Sequence, residues 1–117
     1  MTRSLITGGA GFIGSNLADA LVSKNHKVII IDNLSTGRMS NLNNVKKKIK
    51  FINIDISQKS KKLEKIFKNI DVVYHLAGMA DIVPSIENPE KYFNSNVVGT
   101  LNVLSAAKKY KVKKFIY

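Results

Sequence analysis

The 117-residue chain has no cysteine, which excludes a disulfide framework and a thiolate metal site and leaves nothing that points to secretion. The compartment this implies is the cytoplasm. A long apolar run is also missing. Only Met1-Thr2-Arg3-Ser4 precede the first hydrophobic stretch, too few for a signal peptide, and glycines soon interrupt that stretch. No membrane partner is expected. Acidic residues are scarce, 8 against 19 Lys plus Arg, giving a formal charge of +11. Such a balance raises nucleic acid as a partner. Yet Arg3 and Arg38 are the only arginines, and the lysine runs at Lys46–Lys50, Lys59–Lys65 and Lys108–Lys114 carry little aromatic interleaving to stack bases. These runs read as solvated surface, with no nucleic-acid partner. Repeats, linkers and low-complexity segments are absent too, and a hydrophobic content of 44% suits one packed domain.

What is present is a junction of strand, glycine turn and helix. Ser4-Leu5-Ile6-Thr7 suits a buried parallel strand, and Ile13, Leu17 and Leu21 recur at helical spacing after Thr7-Gly8-Gly9-Ala10-Gly11-Phe12-Ile13-Gly14. Gly9, Gly11 and Gly14 match G-x-G-x-x-G in the strand-then-helix context that motif requires. Glycines here let the backbone turn sharply and approach a pyrophosphate closely, with the amide-rich, positive end of the helix facing the anion.

The helix is expected over Phe12–Lys24, followed by a second β-branched strand, Val28–Ile31, closed by Asp32-Asn33. An acid about 20 residues past the glycines, at the end of the second strand, is placed to accept hydrogen bonds from adenosine ribose hydroxyls and to repel a 2′-phosphate. NAD is favoured over NADP, with Arg38 the one nearby group suited to the phosphorylated form. Residues Leu34–Val45 read as a loop with at most a short helical turn. Phe51–Ile56 is the third strand and Ser60–Lys68 a helix. Asp71–Leu76 is the fourth strand, and Ala77-Gly78 are small enough for a ligand to come close. His75, a single histidine in an apolar strand, reads as a packed core residue and not a catalytic one. Met79–Glu87 reads as a loop containing Pro84. Asn88-Pro89-Glu90 has the chemistry of a helix start, with cap, proline and acid in order. That helix should reach Lys109 on a buried stripe of Phe93, Val97, Leu101, Leu104 and Ala107 or Lys108, with close packing at Gly99. Lys113–Tyr117 starts a fifth strand.

Alternating strands and helices imply an α/β fold, a doubly wound parallel Rossmann sheet of order 3-2-1-4-5 with the ligand beyond the carboxyl ends of strands one and four. Most lysine runs precede strands, so they gather at the amino edge, away from that ligand.

TGGAGFIGSNL at Thr7–Leu17, DNLSTG at Asp32–Gly37, Asp55-Ile56, HLAG at His75–Gly78 and NPEKYFNSNVVGTLNVL at Asn88–Leu104 together resemble the extended short-chain dehydrogenase/reductase family. The branch is that of nucleotide-sugar epimerases and dehydratases. The resemblance implies that Gly8, Gly11 and Gly14 line the pyrophosphate of NAD, with Phe12 and Ile13 offering amides. Asp32 and Asn33 would hold the adenosine ribose, Ser35, Thr36 and Gly37 this ribose or a nearby phosphate, and Asp55 and Ile56 would bracket adenine. Leu76, Ala77 and Gly78 would pack near the nicotinamide, and Ser85 could touch a UDP-sugar. Val83-Pro84-Ser85 looks more like UDP-hexose and UDP-hexuronate epimerases than 4,6-dehydratases, whereas Ala80 stands where some galactose-type epimerases carry a lysine. The implied chemistry is reversible hydride transfer through a 4-keto sugar, with a tyrosine base tuned by lysine. Those residues follow the fifth strand in the family, so the chain is expected to be the N-terminal, cofactor-binding part of an incomplete domain. It would hold no catalytic residue and be inactive by itself. Tyr110 and Lys114 have Tyr-x-x-x-Lys spacing but fall at the end of a helix and the start of a strand, remote from the ligand edge. A dehydratase or decarboxylase of the same fold, or a noncatalytic dinucleotide sensor, is the alternative. A homodimer is an assembly common in the family.

Overall fold

A computed structural model describes all residues 1–117. Five strands form one parallel sheet of order β3-β2-β1-β4-β5: β1 Arg3–Thr7, β2 Lys27–Asp32, β3 Ile49–Asn53, β4 Val72–His75 and β5 Lys114–Ile116. This is the expected order, and it follows from β-branched runs buried on both faces. Alternation then splits the core in two. Leu5, Ile29, Ile31 and Val73 face one layer with Leu63, Phe67 and Val103, while Ile6, Val28 and Ile30 face the other with Ala18, Leu21 and Leu42.

Helix α1 spans Phe12–Ser23, and α2 spans Lys61–Ile66 with Ser60 as its N-cap, its hydroxyl accepting the Leu63 N–H at 3.1 Å. A 3-10 turn at Met39–Leu42 is the only helical piece in the segment expected to be a loop. Two expectations fail nearby. Ile13 is exposed, because α1 buries Gly14, Ser15, Ala18 and Leu21 instead. Residues Ile82–Glu87 form a short helix, α3, where a loop was expected: Pro84 lies in its first turn, where a missing N–H breaks no intrahelical bond.

Asn88 does cap the next helix, accepting the Lys91 N–H at 3.3 Å, with Pro89 as the first helical residue. The expected single helix is then three pieces in one rod: α4 Pro89–Phe93, a π turn Asn94–Val98, and α5 Gly99–Lys109. Of the expected buried stripe only Ala107 is buried. Gly99, Val103, Ala106 and Ala107 pack on the sheet, whereas Phe93, Val97, Leu101 and Leu104 are exposed. Both sets obey helical spacing, but only small residues allow the close approach taken here: a Cβ on Gly99 would lie 2.8 Å from Ile56 Cδ1. No helix is long and apolar enough to cross a membrane.

Candidate functional site

The functional groove opens beyond the carboxyl ends of β1, β2, β3 and β4. The β1 end comes first. Gly8 adopts φ +68°, and a Cβ there would sit 2.7 Å from Ala77 N and Cα. No side chain fits that gap, so the turn and the segment after β4 touch backbone to backbone. A Cβ on Gly14 would meet Gly8 O at 2.4 Å, which holds α1 against the turn. Gly11 differs, for its nearest neighbour would be Gly8 O at 3.3 Å, and its remaining surface faces the groove. Gly9 was expected to take part in ligand approach. It is instead buried against β2, with Ile30 Cγ2 2.5 Å from where a Cβ would be. Its smallness serves packing.

Gly11 caps α1 without a side chain, and the helix makes its first backbone bond from Ser15 N–H to Gly11 C=O. The N–H groups of Phe12, Ile13 and Gly14 therefore precede the ladder and remain donors for an anion. The side chains of Phe12 and Ile13 are exposed, and neither they nor Gly14 line the groove wall. Any contribution from these three is through backbone.

Asp32 ends β2, half-buried. Its Oδ2 accepts Ala10 N–H at 3.0 Å and its Oδ1 accepts Leu34 N–H at 2.8 Å. The acid thus ties the glycine turn to its own strand, a structural duty that spacing alone does not reveal. Each oxygen keeps a further lone pair for a hydroxyl donor. Around it stand Asn33, Ser35, Thr36 and Gly37, and across the groove Asp55 and Ile56. Asn33 Oδ1 accepts Ser35 N–H, and Asp55 Oδ1 accepts both the N–H and the hydroxyl of Ser57, so each shapes its own loop. The loop after β2 wraps the glycine turn: Arg38 N–H and Asn41 Nδ2 both donate to Ala10 C=O, at 3.0 and 2.8 Å.

Leu76, Ala77 and Gly78 form the wall after β4, together with Met79 and with Ser95 from the π turn. Met79 and Ser95 were not singled out from sequence, nor were Ile31 and Ile54, which complete the floor. Ser95 lacked any signal because an α-helical projection does not include the π turn. Ser85 does not line this groove; its hydroxyl donates to Ile82 C=O within α3. Tyr110 caps α5 beside the sheet core and Lys114 opens β5, so neither reaches the groove.

His75 is buried, as expected of a core histidine, and burial lowers its pKa below the ordinary 6.5. Its Nδ1 lies 2.6 Å from Thr7 Oγ1 and its Nε2 2.8 Å from Thr100 Oγ1. A neutral ring so placed is a fixed hydrogen-bond element rather than a free base.

Residues 4–117 match the family described as NAD dependent epimerase/dehydratase. Among solved structures, a UDP-N-acetylglucosamine 4-epimerase from Methanobrevibacter ruminantium, in complex with UDP-N-acetylmuramic acid, is 41% identical with a TM-score of 0.90, covering 99% of this chain and 37% of that one. The Thermus thermophilus UDP-glucose 4-epimerase in complex with NAD is 36% identical with a TM-score of 0.89, over 99% of this chain and 37% of that one. UDP-glucuronic acid decarboxylase 1 of Arabidopsis thaliana is 42% identical over 92% of this chain and 24% of its own length. The chain spans about a third of the length of the first curated relatives it matches, 36%, 33% and 35%. With its sheet order, glycine turn and matched residues 4–117, the chain belongs to the NAD dependent epimerase/dehydratase family.

Proposed function

We propose that this chain is the NAD-binding part of a nucleotide-sugar 4-epimerase acting on a UDP-hexose. The observation that carries this is the pairing of two features across one groove: a glycine-lined helix start with unused N–H donors, and the Asp32 carboxylate with unused acceptor capacity. The first suits a pyrophosphate and the second a ribose diol, at the switch point where doubly wound sheets take dinucleotides. The cradle fits such a group sterically, since Gly11 presents no side chain to it. When bound, NAD would supply a reversible hydride acceptor for the sugar carbon.

Every other part of this reading concerns what the chain's own residues do. The N–H groups from Phe12 to Gly14 hold the pyrophosphate, and Asp32 with Asn33 orients the adenosine ribose. Ser35, Thr36 and Gly37 close over that end. Asp55 and Ile56 bracket the adenine, while Leu76, Ala77 and Gly78 exclude water beside the nicotinamide. No proton-transfer pair stands in the groove, so the chain by itself binds and does not turn over. The UDP-sugar, which Ser85 would touch from outside this groove, is bound in the complete protein. Calorimetric titration tests the reading: saturable binding of NAD, weaker binding of NADP, and no conversion of UDP-glucose by the chain alone. Absence of saturation by NAD overturns it.

The 42% identity to a UDP-glucuronic acid decarboxylase supports a second reading, a decarboxylase or dehydratase using the same cofactor half. In the complete polypeptide, loss of product mass distinguishes this from epimerisation. A cytoplasmic location is part of this reading, and the cysteine-free composition is compatible with it. A homodimer is supported by the exposed stripe Phe93, Val97, Leu101 and Leu104, whose large side chains lie on the face of the rod away from the sheet.

A further inference from the structure

The buried histidine stands at the centre of a hydrogen-bonded circuit whose protons can all be placed. Thr7 Oγ1 accepts two backbone N–H groups, those of Leu76 and Ala77, each at 3.1 Å. Both are donors, the Leu76 N–H shared with the Thr7 carbonyl at 3.1 Å, so the Thr7 proton goes to the one neighbour able to accept it, His75 Nδ1 at 2.6 Å. Nδ1 is therefore an acceptor, and the neutral ring carries its proton on Nε2. That proton goes to Thr100 Oγ1 at 2.8 Å, and the Thr100 hydroxyl passes its own to Asn96 C=O at 2.6 Å. Asn96 lies in the π turn, where its side chain clasps Met79 from both sides: Met79 N–H donates to Oδ1 at 2.8 Å, and Nδ2 donates to Met79 C=O at 2.9 Å. The circuit closes around Leu76–Met79, the wall of the groove.

Resting on the NAD reading above, we propose that His75 is a positioning residue for the cofactor. As an Nε2–H imidazole oriented by Thr7 and Thr100, it locks the Leu76–Met79 wall to the π turn and holds the groove at one width. The geometry leaves little slack on either side of this wall. Ala77 already touches Gly8 backbone to backbone, and Ser95 of the same π turn reaches into the groove. Removing the Thr7 hydroxyl strands the Ala77 N–H and takes the donor from His75 Nδ1, while the Leu76 N–H keeps the Thr7 carbonyl at 3.1 Å. A π turn is a strained departure from the helix that recurs at functional sites, and here its carbonyl terminates the relay. Neutral imidazole accepts on one edge and donates on the other through a rigid ring, which lets it join the two hydroxyls.

The test uses conservative pairs in the full chain: Thr7→Val against Thr7→Ser, and Thr100→Val against Thr100→Ser. Long-range nitrogen–proton NMR of the His75 ring should show the Nε2–H tautomer in the wild type. NAD affinity should fall about tenfold in each valine variant and stay within about twofold in each serine variant. The double valine variant should lose no more than the worse single one, because the two hydroxyls act through one ring. Leu63→Ala, a core truncation in α2 that does not line the groove, serves as the control: it lowers melting temperature and leaves NAD affinity and the tautomer unchanged. An Nδ1–H tautomer, additive losses, or affinity that simply tracks melting temperature overturns the proposal. Should wild type fail to bind NAD, the cofactor reading falls, and this one is then decided by the tautomer and by the amide exchange of Ala77, whose N–H has the Thr7 hydroxyl as its acceptor. Faster exchange in Thr7→Val but not Thr7→Ser upholds the locked wall; equal exchange removes it.

Discussion

Replacing Gly8 by alanine places a methyl group 2.7 Å from Ala77 N and Cα and 2.9 Å from Leu76 C, atoms of backbone that cannot rotate aside. Two costs combine. Holding a non-glycine residue at φ +68° costs about 1–2 kcal/mol, and forcing apart two packed backbone segments costs about 1–3 kcal/mol more. Together they come to about 2–5 kcal/mol, a large fraction of the roughly 5–15 kcal/mol that holds a domain folded. The melting temperature should drop by on the order of 10 °C. Gly11→Ala and Gly78→Ala provide the contrast, because the nearest atoms would lie at 3.3 and 3.4 Å and neither residue has a positive φ. Both should melt within about 3 °C of wild type. Gly11→Ala should nevertheless weaken NAD binding, as its methyl occupies groove space. Differential scanning calorimetry with matched titrations reads both quantities. A Gly8→Ala protein that melts within about 2 °C of wild type refutes the backbone-contact reasoning, and so does a Gly11→Ala protein that melts as low as Gly8→Ala.

Asp32→Asn leaves one oxygen to serve two N–H donors and turns an amide toward the other, so it should cost about 1–3 kcal/mol by chemical denaturation and also narrow the preference for NAD over NADP. The Asp71 carboxyl is held below its ordinary 3.8 by the Lys113 ammonium first, and by the Arg3 N–H next. A lowered carboxylate pKa gives stability that is present above pH 3.8 and lost as pH falls through the folded value. Lys113→Met should therefore flatten the acid limb of melting temperature against pH in that window. His75 has a lowered pKa through burial, so the unfolded chain takes up protons first as pH falls below 6.5. Stability should decline from there downward, and His75→Gln should remove that portion of the decline. Leu101→Glu, on the exposed stripe, should leave the melting temperature of the isolated chain nearly unchanged and abolish any dimer seen by sedimentation.

The strands, the cap at Asn88 and the sheet order were legible because each rests on local chemistry: β-branched runs, an Asx cap followed by proline, and regular alternation. The wrong face of α5 has a definite cause. Two apolar sets, one of large residues and one of Gly99, Val103 and Ala106, satisfy helical spacing about half a turn apart, and periodicity does not choose between them. Size does, since only the small set lets the helix approach Ile56. At the site, Gly11, Asp32 and the small residues Ala77 and Gly78 were legible from spacing and size, whereas Gly8 and Leu76 entered through the family resemblance. The roles that were not legible depend on partners far along the chain. Ile30 fills the space beside Gly9, Ala10 and Leu34 occupy the Asp32 oxygens, and Asn96 grips Met79 across the fold. Ser95 joined the groove only because the helix widens to a π turn there.

The rod from Pro89 to Lys109 carries its bulkier apolar residues on the outside and its smaller ones within. Two opposed forces then govern how copies of the chain meet in solution. The stripe of Phe93, Val97, Leu101 and Leu104 attracts at contact, while a net charge of +11 repels at longer range. That repulsion reaches about 30 Å at 0.01 M ionic strength and only about 3 Å at 1 M. Dilute buffer should keep the chains apart, and added salt should bring them together, opposite to the behaviour of a protein whose copies are joined by ion pairs.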